Sequence, residues 1–307
     1  MSLEEEQDGL FGFDFDEDDF ETKKERIIPE QADYQAKIET DGWFHENDKS
    51  IDELMLEQHG PNEVKNAIEH DYFYKRYDRA LTTALGYIRV VKTSDQCKVT
   101  GTKEITDIAM HCAAKLNRLD TLNELLDLDK SHTQDLGLYL VRAKFYPLVG
   151  RYAEAIDTCV LYHKERKLDY RIWSIMADVF IRSAQQSPVN NAEDEMRYHL
   201  ANLSMQRALH IVKTSRWKTN IDFVKKRLDR DLQGLESRLQ QTVDLGGNAD
   251  KFVEWMSSIS AAADQDKTIK ASGLSEFDWQ HVIWIYKDWA LRQDLDLDDD
   301  IKAVKDM

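Results

Sequence analysis

Helix breakers are scarce in this sequence, with only 4 prolines and 12 glycines in 307 residues. Few breakers among many Glu, Lys, Leu and Ala favour helix over sheet. No window shows sustained apolar/polar alternation closed by Asn-Gly or Asp-Gly, so no β-hairpin is expected. Cysteine is equally sparse. Cys97, Cys112 and Cys159 form no CxxC pair, and an odd number without regular spacing excludes a disulfide framework and fits a reducing compartment. No apolar run approaches the length of a membrane span. The first residues, MSLEEEQDG, are the opposite of a signal-peptide start. These shortages predict a soluble protein that is not secreted, cytoplasmic or nuclear or both, with no membrane partner.

Positive charge is also short, with 41 Lys and Arg against 58 Asp and Glu, a net charge of −17. So acidic a surface repels phosphate backbones, which argues against nucleic acid as a partner unless a local basic patch exists. The runs Lys225-Lys226-Arg227 and Lys23-Lys24-Glu25-Arg26 are diluted by neighbouring acids and read as solvated helix face or linker charge.

The signatures of catalysis and cofactor binding are missing too. Gly101-Thr102-Lys103 lacks the upstream glycine of a phosphate-binding loop, and neither GxGxxG nor GxSxG occurs. His111-Cys112, His199 and His210 have no HExxH or CxxC context and read as helix-face residues. Asp294-x-Asp296-x-Asp298 opens like a calcium loop, but Asp299 stands where the turn glycine is needed and Lys305 where the bidentate Glu belongs. Asp278-Trp279-Gln280-His281-Val282 matches a docking-peptide pattern that requires an extended strand, yet it sits inside a helical pattern. The expectation is no enzyme, no cofactor and no metal.

What is present is helical periodicity, clearest between Tyr139 and Phe180. Gly150-Arg151-Tyr152-Ala153-Glu154-Ala155-Ile156 reads as a helix closed by a glycine in the left-handed region, then a second helix whose Ala155 permits close approach. Pro147 predicts a kink or early end of the first helix. Trp173, Met176, Ala177 and Phe180 come next in the first-helix spacing of a tetratricopeptide repeat. Tyr77-Asp78-Arg79-Ala80-Leu81 repeats the pattern of Tyr152 to Ile156. Leu119 and Leu122 occupy the same places in a degenerate copy, so Ala80, Leu122 and Ala155 lie 42 and then 33 residues apart. The loop Lys92–Gly101 stretches the first interval, and Pro61 marks a helix start.

Beyond these hairpins, Ile221, Val224, Leu228, Leu232, Leu235 and Leu239 form a narrow apolar stripe on a charged rod. It reads either as a helix laid along the preceding hairpin or as a short coiled-coil seam. Asp244–Asn248 breaks the chain, and a last helix is expected from Ser275 to Arg292, with Ser275 and Asp278 resembling a capping box. That helix is apolar nearly all round, which raises the chance of a contact with another chain through Trp284 and Trp289.

At the other end, Phe11, Phe13, Phe15 and Phe20 sit in a dense acidic run. Carboxylate repulsion should keep such a segment extended. It is either an arm packed on its own body or a peptide that folds onto a partner.

Leu10-Phe11-Gly12 with Phe15 and Phe20, followed by Tyr34-x-Ala36-Lys37 and Trp43-Phe44, together with Trp173-x3-Ala177-x2-Phe180, resembles the family of the protein named for open reading frame 76 of human chromosome 8. The resemblance covers roughly the N-terminal two thirds and stops near residue 215. It implies a tetratricopeptide-like helical fold and brings no activity or site residue with it.

The reading is therefore all-α. An acidic-aromatic arm (1–40) precedes an α-solenoid of degenerate tetratricopeptide-like hairpins (41–293) and an acidic tail (294–307). The expected function is a non-enzymatic adaptor or scaffold for a protein or peptide partner, with Phe11, Phe13, Phe15, Phe20, Trp284 and Trp289 as candidate contact residues. The alternative is a subunit of an obligate complex or homodimer through the Trp-rich helix.

Overall fold

The computed structural model describes residues 42–45, 48–128, 136–186, 195–261, 269 and 272–293. The chain divides into two units, Met1–Asp41 and Gly42–Met307. The first, with Phe11, Phe13, Phe15 and Phe20, lies outside the described residues, as does the tail 294–307. Every described residue belongs to the second unit.

Among the described residues the structure is all-helical and contains no strand. Its α-helices, in order, are α1 (Ile51–Leu56), α2 (Gly60–Phe73), α3 (Tyr77–Thr93), α4 (Lys103–Lys115), α5 (Leu119–Asp127), α6 (Leu136–Phe145), α7 (Tyr152–Glu165), α8 (Tyr170–Gln186), α9 (Glu195–Thr214), α10 (Asp222–Asp244), α11 (Ala249–Ala261) and α12 (Trp279–Gln293). None is long and apolar enough to cross a membrane.

Helix ends obey local chemistry. Ser50 and Glu53 close a reciprocal capping box on α1, worth about 1 kcal/mol. Pro61 occupies the first turn of α2. Pro147 ends α6 early: the helix stops at Phe145 and tightens into a 3-10 turn over Tyr146–Val149.

Each helix packs on its successor through most of the chain, and α2, α4, α6 and α8 also lie side by side. The buried residues form one continuous cluster from Leu54 to Trp289. Ala80, Leu122 and Ala155, equivalent by sequence, are all fully buried, as are Trp173, Met176, Ala177 and Phe180.

The connections α2–α3, α4–α5 and α6–α7 share one backbone design. Each places a residue in the left-handed region: Lys75 (φ 61°), Asn117 (φ 54°) and Gly150 (φ 75°). An arginine comes next each time, Arg76, Arg118 or Arg151, and then the first residue of the next helix. The arginine N–H donates back to the carbonyl five residues earlier: Arg76 to Asp71 (2.8 Å), Arg118 to Ala113 (2.9 Å) and Arg151 to Tyr146 (3.0 Å). This is the Schellman closure, which satisfies carbonyls that a helix end otherwise leaves bare. Glycine accounts for the geometry only at position 150.

After α9 the design changes. Helix α10 packs along α9 and buries Leu235 of the predicted stripe, while Ile221 at its start stays exposed. The break after α10 folds back on α9. Asn202 Nδ2 donates to Thr242 Oγ1 (2.8 Å), its Oδ1 accepts from Ala249 N–H (3.1 Å), and Asn248 N–H donates to His199 Nδ1 (3.1 Å). Gly247 is required there, since a Cβ would sit 2.5 Å from the Tyr198 carbonyl oxygen.

The start of the last helix differs from expectation. Its cap is Asp278, whose Oδ1 accepts from Gln280 N–H at 2.7 Å, and Ser275 lies in the preceding turn. Burial of Leu274 and Phe277 explains this. Phe277 reaches Phe180 edge-on (ring centroids 5.1 Å), and the backbone must turn to seat both side chains before a helix can begin.

Candidate functional site

Three groups of polar side chains stand out, and two of them are structural. The first surrounds Asp71, whose side chain is 1% exposed. Arg79 grips it with Nε on Oδ2 (2.7 Å) and Nη2 on Oδ1, while His45 Nε2 stands 3.2 Å and Arg76 Nη1 3.7 Å from Oδ1. His45, His70 and Asp71 lie close enough together to hold a metal ion. The donor set does not fit one. Arg79 Nη2 is 3.1 Å from His45 Nε2, so a cation there would meet a guanidinium, and the carboxylate is already neutralised. Burial above all holds the His45 imidazole below the ordinary histidine range; Asp71 opposes that and Arg79 adds to it.

The second group joins three helices. His163 of α7 is fully buried between the edges of Trp173 (5.1 Å) and Trp284 (4.8 Å). Asp288 of α12 stands 3.8 Å from His163 Nε2 and 3.5 Å from Arg207 Nε of α9. With side-chain exposures of 0, 10 and 4%, this His–Asp–Arg set is closed to any substrate. It fastens α12 to α7 and α9, helped by His281 and Asp157 (2.7 Å). Here the two tryptophans singled out by sequence find their use. Trp289 is buried and Trp284 half-buried against His163, so the apolar face of α12 covers its own chain.

The third group is on the surface. The α7–α8 connection and the stretch from the end of α9 into α10 frame a groove of about 640 Å³ lined by Arg166, Lys167, Leu168, Tyr170, Arg171, Trp217 and Arg227, among others. Of the two acids that line it, Glu165 is exposed and Asp169 is tied down by its neighbours. Asp169 accepts from Tyr162 Oη (2.6 Å), from Arg171 Nη2 (2.6 Å) and from Arg171 N–H (3.0 Å). Burial would raise its carboxyl pKa, but these donors outweigh burial and hold it below the usual range. Asp231 accepts from Tyr170 Oη (2.7 Å) and faces Arg230 (3.3 Å) and Arg227 (3.7 Å).

The remaining cations of this pole are Lys164, Arg166, Lys167, Arg216, Lys218, Lys225 and Lys226, all exposed. None forms an ion pair among the described residues. The same stretches expose three apolar side chains: Leu168 (57% exposed), which lines the groove, and Ile221 (45%) and Phe223 (72%) at the start of α10. A basic surface carrying exposed apolar side chains can bind an anionic group and an apolar one together.

Sequence reasoning missed this surface. Lys225-Lys226-Arg227 is visible as a run diluted by two acids; one of them, Asp231, is spent on Tyr170, Arg227 and Arg230, and the other, Asp229, is exposed. Its reinforcement by Lys164–Arg171 comes from a stretch about sixty residues earlier, which only folding brings near. No protein-family model, no curated protein and no solved structure matches the chain.

Proposed function

We propose that the chain is a non-enzymatic interaction protein, an adaptor or scaffold built as an α-solenoid of degenerate tetratricopeptide-like hairpins. One observation carries this reading. The turns at Lys75-Arg76, Asn117-Arg118 and Gly150-Arg151 have the same backbone and the same hydrogen bond, although their sequences differ. A repeated unit of this kind stacks on its neighbours and presents extended surface, the usual reason such chains are built. The side-by-side placement of α2, α4, α6 and α8 supports the same reading.

The test is cross-linking mass spectrometry on the full-length tagged chain expressed in its own cells, with gel filtration of the untagged protein at native level. The adaptor reading expects elution ahead of the monomer and a partner protein cross-linked to lysines of the helical body. Elution as a free monomer with no recurrent cross-linked partner would overturn it.

A further inference from the structure

The basic pole is anomalous in this chain. Residues 1–41 carry 15 acidic and 4 basic side chains, and residues 294–307 carry 6 and 2, so nearly all of the net −17 comes from the two ends of the sequence. In the helical body between them the charges almost balance, and many are paired. Lys65 meets Glu104, Arg89 meets Asp52, Arg118 meets Asp78 and Arg151 meets Asp127. Around α7–α8 and the start of α10 cations are in excess: Lys164, Arg166, Lys167, Arg216, Lys218, Lys225 and Lys226 form no ion pair among the described residues, against the exposed acids Glu165, Asp222 and Asp229.

We infer that this pole is a docking surface for an acidic peptide segment of a partner protein, one with aromatic side chains set among its carboxylates. This rests on the interaction-protein reading and names the partner's chemistry. Charge complementarity argues for carboxylates, since an unpaired cluster of cations attracts and orients an anionic segment. The exposed apolar side chains argue for a peptide that carries apolar side chains of its own: aliphatic Leu168 and Ile221 offer no stacking face to a base, and with Phe223 and Trp217 they supply apolar contact area beside the cations.

The probe is a fluorescent synthetic peptide with the sequence of residues 8–21, DGLFGFDFDEDDFE, which has the required chemistry. It is titrated against the full chain by anisotropy. A chain with Phe11, Phe13, Phe15 and Phe20 changed to Ala is titrated alongside, so that the protein's own copy of the sequence does not compete. Saturable binding is expected. It should weaken at least about tenfold in K167E/K225E/K226E and several-fold in F223A, and fall with added salt. A charge-matched control, K98E/K115E/K287E, should bind as the parent does.

Equal binding by the pole variant and the parent, or no binding at all, overturns the inference. So does a short single-stranded oligonucleotide that binds as tightly as the peptide and displaces it, which would make the pole a polyanion site. A peptide with Ala for each Phe that binds equally well overturns the role of the apolar residues. If K167E/K225E/K226E still recovers the same cross-linked partner from cells, the docking surface is lost and the interaction-protein reading stands.

Discussion

The hairpins from α2 to α7 and the pole at α7–α10 use the same side chains for opposite purposes. In the hairpins an arginine is a fastener. Arg79 closes on buried Asp71, Arg118 of one turn reaches Asp78 of the preceding hairpin, and Arg151 of the next reaches Asn123 and Asp127. Each ties one hairpin internally or to its neighbour. At the pole, Arg166, Lys167, Lys225 and Lys226 are exposed and fasten nothing among the described residues. A cation committed to a carboxylate serves stability, and one left in water is available for recognition. Substitutions should therefore separate the two regions sharply.

The largest effect belongs to the fasteners. Asp71→Ala should cost roughly 2–4 kcal/mol, because the hydrogen bonds of a buried ion pair vanish. The loss stays below that of a fully enclosed pair, since Arg79 is half-exposed and can turn to water. Urea denaturation measures it, and a change under about 0.5 kcal/mol would remove the distinction between the regions.

Next come the turns. Gly150→Ala keeps open space around the new Cβ, with nothing nearer than 3.8 Å, but forces alanine to φ near +75°, at a cost of about 1 kcal/mol or slightly more. Lys75 and Asn117 already bear that strain. Lys75→Gly should therefore stabilise by a few tenths of a kcal/mol, with part of the gain offset by the entropy of an added glycine. If Gly150→Ala and Lys75→Gly shift the urea midpoint in the same direction, the turns are not equivalent.

These turns show how far the sequence could be read. The hairpin at Gly150 was legible because glycine, aromatic and alanine fall in a known order. The hairpins turning at Tyr77 and Leu119 were legible as copies of it, but the left-handed residues Lys75 and Asn117 were not, since a lysine carries no sign of that backbone until tertiary packing imposes it. The buried positions Ala80, Leu122 and Ala155 came from periodicity alone. Other features depend on long-range contact. Asp278 caps α12 in place of Ser275 because Phe277 must reach Phe180. Trp284 and Trp289 looked like an interface because nothing in the sequence places α12 on α7 and α9. The basic pole is the extreme case, since neither half of it is unusual alone.

A smaller effect comes from pH. Burial holds His111 below the ordinary histidine value of 6.5, as it does His45. The folded state then binds fewer protons than the unfolded one as pH drops below neutrality. The contribution of these neutral imidazoles is complete above the unfolded value and is lost as pH falls through the depressed folded value. The melting temperature should be lower near pH 5.5 than near pH 7.5, and His111→Gln should narrow that gap. A melting temperature that rises on acidification would contradict the assignment of His45 and His111 as half-buried and neutral.

The smallest stability effect, and the sharpest test of the comparison, is at the pole. K225A/K226A removes two exposed cations that have no ion-pair partner among the described residues, so the urea midpoint should move by no more than about 0.5 kcal/mol equivalent. The net shift should be close to zero, because relief of repulsion from Arg227 and Arg230 is offset by loss of attraction to Asp222 and Asp229, each four residues from one of the two lysines. Alanine also equals or betters lysine as a helix former. A loss as large as that expected for Asp71→Ala would mean that these lysines are fasteners after all, and the contrast between the arginines of the hairpins and the exposed lysines of the pole would fail.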